Sequence, residues 1–205
     1  MVPNTGIDTT ANVTPYLGCL RDAGVTFICR YLNPLGVSVG LSRREGIAIT
    51  RAGLSIVALF EWGTISYTRS YFTYARGQSD ARLAFSSAKN IGVPAGRPIY
   101  FTVDMDATAP DLPAIGAYFH GVHDELLALG RTRPTYLVGA YGSYRTLSYL
   151  RSVHAADYLF QTYAWSGGQV LAGVNLLQEE DDTHICGFAN DRDVSWGDGG
   201  GFEIL

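Results

Sequence analysis

Cysteine and histidine are scarce in this 205-residue chain, and long apolar runs are missing. The three cysteines, Cys19, Cys29 and Cys186, cannot all pair. Their spacing fits no zinc pattern. They read as small buried hydrophobes, with a Cys19–Cys186 or similar bridge as the alternative. The four histidines have no partner motif, and His120 and His123 read as surface or packing residues of one helix. No apolar run reaches the roughly 18 residues that a membrane helix needs. Met1, Val2, Pro3 and Asn4 open the chain with neither a basic nor an apolar leader segment, so no signal peptide is expected. Phage-driven lysis or non-classical export would then carry the protein outward. Basic residues are outnumbered, with a net charge of −4, so the electrostatic footprint of a nucleic-acid binder is lacking. The first turn, Gly6-Ile7-Asp8-Thr9, lacks a Gly-rich phosphate loop. A Gly-x-Ser-x-Gly elbow is also missing, which removes the commonest serine-nucleophile architecture.

What is present is rhythm. Apolar, β-branched runs are expected as strands near residues 6–8, 25–32, 54–60, 97–104, 135–141 and 157–163. Helices are expected between them at about 16–23, 43–52, 79–90, 111–129 and 143–153. Ser42 and Glu45 have the spacing of a capping box, and Gly24, Gly53, Gly92 and Gly130 follow helix ends. Five strand–helix alternations imply βαβ units with parallel strands. After Tyr163 the rhythm stops. Gly167 and Gly168 suggest a hairpin-type turn, so a strand over 174–178 is expected to be antiparallel. A polar loop over 179–187 and a last strand over 188–194 complete the count. The expected fold is α/β: an irregular, TIM-like (β/α) barrel of eight strands and about five helices, its last strands helix-poor and partly antiparallel. It forms one domain over residues 1–205. An open doubly wound sheet is the runner-up.

In such a barrel the C-terminal strand ends carry the chemistry. Asp8 closes the first strand and Glu61 the third. Asp104 and Asp106 close the fourth, spaced i, i+2 and so expected on one face. Asp191 and Asp193 lie on the last strand. A lone Asp after a strand is commonly a cap or turn residue. Here the acids close strands one, three, four and eight, and only the fold brings them together. Clustered carboxylates repel, so some must be protonated or paired, and Arg30 is the cation expected at the rim. Trp62, Tyr141, Gln161, Tyr163 and Trp165 are expected to bind substrate there, the aromatics by stacking on sugar rings. One carboxyl with a raised pKa beside an ionised one is what glycoside hydrolysis uses.

Gly6-Ile7-Asp8, Phe27-Ile28-Cys29-Arg30-Tyr31, Phe60-Glu61-Trp62-Gly63, the run from Pro98 to Asp106, Ala140-Tyr141-Gly142-Ser143-Tyr144 and Gln161 to Trp165 fall in an order that resembles a known family. It is the bacterial glycoside-hydrolase-like domain of unknown function, similar in fold to the family 25 lysozymes. The resemblance implies an eight-stranded barrel with about five helices and peptidoglycan as the substrate class. Action at the cell wall as a monomer, with no cofactor, metal, nucleic-acid or membrane partner, is expected alongside it. By position, Asp8 matches the N-terminal acid of those lysozymes. Asp104 and Asp106 match their Asp-x-Glu, and Asp191 or Asp193 matches the late acid. The departure is Asp106, one methylene shorter than the Glu that serves as general acid. Glu61 is the other acid able to take that role. Two further readings remain at this point: a catalytically inactive glycan-binding barrel, and a nucleotide-sugar transferase whose Asp104-Met105-Asp106 binds Mn²⁺ or Mg²⁺.

Overall fold

The computed structural model describes residues 3–32, 40–61 and 67–204. Eight strands close into a barrel in which each strand neighbours the next in sequence. The strands are β1 (Asn4–Thr9), β2 (Val25–Tyr31), β3 (Ser55–Phe60), β4 (Pro98–Thr102), β5 (Leu137–Gly142), β6 (Tyr158–Thr162), β7 (Leu176–Thr183) and β8 (Asn190–Ser195). Five α-helices lie among the described residues: α1 (Leu17–Asp22), α2 (Arg43–Arg51), α3 (Tyr74–Ile91), α4 (Leu112–Gly130) and α5 (Tyr144–Ser152). The barrel and its helix-poor last third are as the sequence implies.

Side chains alternate across each strand. Phe27, Cys29, Val57, Leu59, Tyr100, Phe160 and Leu176 form a core cluster built only from strands, the barrel interior. Ile28, Ile56, Ala58, Phe60, Ile99, Phe101, Val138 and Ala140 belong to the larger core shared with the helices. Two glycines make the interior fillable. A Cβ on Gly6 would collide with the Phe27 ring, and one on Gly139 with the Tyr100 ring.

The tail corrects three expectations. First, β7 pairs parallel with β6, and only β8 runs antiparallel, to both β7 and β1. Residues 163–175 suffice for a crossover without a helix, because β7 begins at Leu176. The Gln161 amide ties this linker down, donating to Gln169 O at 2.7 Å and accepting from Leu171 N at 2.8 Å. Buried Leu171 supplies the apolar contact a helix would otherwise give. Second, most of the expected polar loop is strand, since β7 continues to Thr183. Third, Cys19 and Cys186 form a disulfide joining α1 to the turn before β8, and Cys29 alone remains a buried free thiol. Thr73 caps α3 by accepting from Arg76 N, which starts that helix at Tyr74 rather than near residue 79.

Candidate active site

The inward rows of β1 to β4 lead to the mouth. Asp8, Tyr31, Leu59, Glu61, Thr102, Asp104, Tyr141, Gln178 and Asp191 line a pocket of about 140 Å³. Of the six expected acids, four are therefore gathered there: Asp8, Glu61, Asp104 and Asp191.

Asp8 and Asp191 face each other across the β1–β8 register. Gln178 bridges them. Its Nε2 donates to Asp8 Oδ2 at 3.1 Å and to Asp191 Oδ2 at 2.8 Å, while its Oε1 accepts from the Tyr141 hydroxyl at 2.8 Å. The Tyr31 hydroxyl donates to Asp8 Oδ1 at 3.1 Å. Burial, and then the neighbouring Asp191 carboxylate, raise Asp8 to about 7 against the opposing hydrogen bonds of Tyr31 and Gln178. Burial also raises Asp191, with Asp182 N donating to it at 2.9 Å in opposition.

On the opposite wall, burial and the nearby Asp104 carboxylate raise Glu61 to about 7. Burial raises Asp104 as well. The mouth thus gathers four carboxyls that all hold their protons more tightly than free carboxyls, with Asp8 and Glu61 raised to about 7.

Asp193 sits one layer below, opposite Gly6, and is fully buried. Neither of its oxygens has a hydrogen-bond partner of good geometry among the described residues. Burial and then Asp8 push it well above the usual carboxylate range, opposed by the Cys29 thiol alongside. It lies under the pocket and is not a member of its lining.

Asp106 does not join the pocket. The i, i+2 rule holds only within a strand, and β4 stops at Thr102. Asp104 continues the inward row. The chain then bends, with Ala107 N donating to Met105 O at 2.9 Å, and Asp106 ends up exposed.

Arg30 is also displaced from its expected place. It alternates with inward Cys29 and Tyr31, so it points outward and is 1% exposed. There it donates to Glu45, Nε to Oε1 at 3.0 Å and Nη2 to Oε2 at 3.2 Å. Ser42 does cap α2 through Glu45 N, but the Glu45 carboxylate turns to Arg30 and Val13 N instead of closing the box. The site acids therefore have no arginine from β2.

Among the expected substrate contacts, Tyr141 lines the pocket. Gln161 is buried and spent on the β6–β7 linker. Tyr163 and Trp165 are exposed on the rim, outside the pocket lining. Trp62 lies outside the described residues. Tyr31, Thr102 and Gln178 escaped the sequence reading. For Tyr31 the signal is its position two residues after Cys29 on the inward row. For Gln178 it is a polar residue closing the apolar Leu176-Leu177 pair. Among the described residues no group of three or more His, Cys, Asp or Glu is arranged to hold a metal ion.

Residues 18–203 match the family model described as Rv2525c-like, glycoside hydrolase-like domain. The uncharacterized protein YbfG of Bacillus subtilis is 33% identical over 132 residues, which is 60% of this chain and 18% of that protein. The chain thus spans less than a fifth of that much longer relative. The crystal structure of the Mycobacterium tuberculosis Tat-secreted protein Rv2525c in complex with L-tartrate superposes with a TM-score of 0.82 at 22% identity, covering 97% of this chain and 98% of that one. The modular autolysin LytC of Streptococcus pneumoniae, in complex with a synthetic peptidoglycan ligand, gives a TM-score of 0.65 at 12% identity, covering 95% of this chain and 47% of that one. At these identities the solved structures establish the shared barrel fold.

Proposed function

We propose, of a chain that belongs to the Rv2525c-like, glycoside hydrolase-like domain family, that it hydrolyses glycosidic bonds of peptidoglycan, with Glu61 as proton donor and Asp104 as the carboxylate facing the reacting carbon. One observation carries this reading: Glu61 is a pocket-lining carboxyl raised to about 7 beside Asp104. A donor must hold its proton near the working pH, while its partner must be ionised to stabilise or attack an oxocarbenium-like carbon. Burial gives Glu61 the first property. Greater exposure leaves Asp104 better able to ionise. Asp8, Asp191 and Gln178 form the facing wall and orient hydroxyls of the sugar or the attacking water. The Asp106 position, expected from the lysozyme resemblance to supply the proton, is replaced by Glu61 in this assignment.

The site of action is the cell wall, and the barrel forms one domain. Two observations support an oxidising, extracellular setting: the Cys19–Cys186 disulfide and the description of the structural relative Rv2525c as Tat-secreted.

A glycan-binding barrel without catalysis is the second reading, favoured by the exposed position of Asp106 outside the pocket. Mass spectrometry of purified peptidoglycan after incubation with the protein separates the two. Hydrolysis yields soluble fragments with new reducing ends, and their masses name the bond. A binder yields none.

A further inference from the structure

A second concavity, of about 520 Å³, opens on the rim beyond the acid pocket. It lies between α5, the start of α4 and the β6–β7 linker. Tyr144, Arg145, Ser148, Tyr149, Trp165 and Gln169 give it its character. Strands β4, β5 and β6 all deliver their C-terminal ends toward it, so it shares the mouth side with the acids. None of its lining residues lines the acid pocket.

Trp165 is the unusual member. The residue is 45% exposed, and its backbone sits at φ +54°, a conformation that strains a bulky side chain. The turn imposing this conformation is pinned on every side. Buried Ser166 donates to Thr162 O at 2.6 Å and accepts from Tyr144 N at 3.0 Å. Ala164 N donates to Thr162 Oγ1 at 3.1 Å, and Gln169 N to Ser166 O at 3.0 Å. Gln161 then holds Gln169 O from below. Glycines follow at once, at Gly167 and Gly168, both with positive φ. A sequence selected for stability alone would place a glycine or asparagine at residue 165 as well. Instead the chain holds a large flat ring rigidly at the surface, beside a groove.

Ser148 Oγ lies buried behind the groove wall, without a hydrogen-bond partner among the described residues. The Arg145 guanidinium is anchored by Nη1 donating to Ala107 O at 3.2 Å, on an otherwise exposed side chain. A flat aromatic face together with scattered donors and acceptors complements a pyranose ring, whose C–H face is apolar and whose edge is hydroxylated.

We infer that this groove is a glycan subsite separate from the acid pocket, which stacks one sugar ring of a chain on Trp165 and hydrogen-bonds its edge through Arg145 and Gln169. It rests on the glycan reading of the mouth and deepens it by giving the polymer a second place to be held. It does not depend on cleavage. The pocket of about 140 Å³ is small beside it, and a rim subsite would hold the chain while one bond lies at the acids.

Glu61→Gln supplies a background without cleavage. In it, sedimentation with insoluble peptidoglycan is compared with and without Trp165→Gly. The expected result is roughly ten-fold weaker binding with Trp165→Gly. Its thermal midpoint is expected to be unchanged or higher, since glycine takes φ +54° without strain. Equal binding by the two proteins overturns the inference. So does a midpoint lowered by several degrees, which would make Trp165 a packing residue. The intact protein gives an independent reading. Its Trp165 indole N–H resonance, assigned through Trp165→Phe, should shift on adding a soluble N-acetylglucosamine tetramer. A resonance that stays put at saturating tetramer contradicts the subsite. If wild type releases no reducing ends yet binds wall in a Trp165-dependent way, the subsite stands and the glycosidase reading falls.

Discussion

Gln178 donates its side-chain amide to Asp8 at 3.1 Å, and the same nitrogen reaches Asp191 at 2.8 Å. One neutral donor therefore links two carboxyls that would otherwise repel across the β1–β8 register. Gln178→Leu keeps the volume but leaves both acids without that donor. The expected loss of stability is about 1–3 kcal/mol. It should be larger at pH 8 than at pH 5, because Asp8, raised to about 7, is ionised only at the higher value. Denaturant unfolding at the two pH values measures this. An equal loss at both would show that the amide acts through packing alone.

Glu61 makes stability depend on pH. Its carboxyl is raised from 4.5 to about 7 in the folded protein. Below about 4.5 both folded and unfolded states hold the proton. As pH rises toward 7 the unfolded state releases it first, so stability falls, and the loss is complete above the folded pKa. The contribution is on the order of 3 kcal/mol. Glu61→Gln should flatten this part of the profile and raise stability relative to wild type at pH 8. A parallel profile for the two proteins would place Glu61 in an unperturbed environment.

The buried pair of Arg30 and Glu45 is a structural element, and its removal has a different signature. With both side chains 1% exposed, Glu45→Ala leaves an uncompensated guanidinium. It also strips Val13 N of its acceptor. The expected cost is about 3–5 kcal/mol, seen as a large drop in thermal midpoint. Little change in midpoint would mean that water reaches Arg30.

Reduction of Cys19–Cys186 should also destabilise the barrel. The bridge closes a separation of 167 residues and so restricts the unfolded chain strongly. A loss of about 2–4 kcal/mol is expected, measured as thermal midpoints with and without a reductant. Equal midpoints would show the bridge to be dispensable to the fold.

The barrel was legible because strand and helix alternate five times, with Gly marking the helix ends, and because the acids recur at strand ends. What was not legible came from three sources. Parity within a strand decides which face a residue takes. Phe27, Cys29 and Tyr31 are inward, so Arg30 is not; Phe160 is inward, so Gln161 is not. Assigning both to the mouth by their nearness to a strand end ignored that alternation. The end of a strand is the second source. Asp104 and Asp106 would share a face only in a continuing strand, and the bend after Thr102 separates them. The pairing of Cys19 with Cys186, and the parallel return of β7, depend on contacts far apart in the chain that local pattern does not encode.

In the proposed hydrolysis, the acid that gives up its proton at the mouth is Glu61. Release of reducing ends from purified peptidoglycan, measured side by side for wild type, Glu61→Gln and Asp106→Asn, tests this most directly. The prediction is a fall of about 10²–10⁴-fold for Glu61→Gln and unchanged release for Asp106→Asn. The wild-type rate should decline as pH rises through about 7, where Glu61 loses its proton. Full activity in Glu61→Gln, or loss of activity in Asp106→Asn alone, would contradict the assignment.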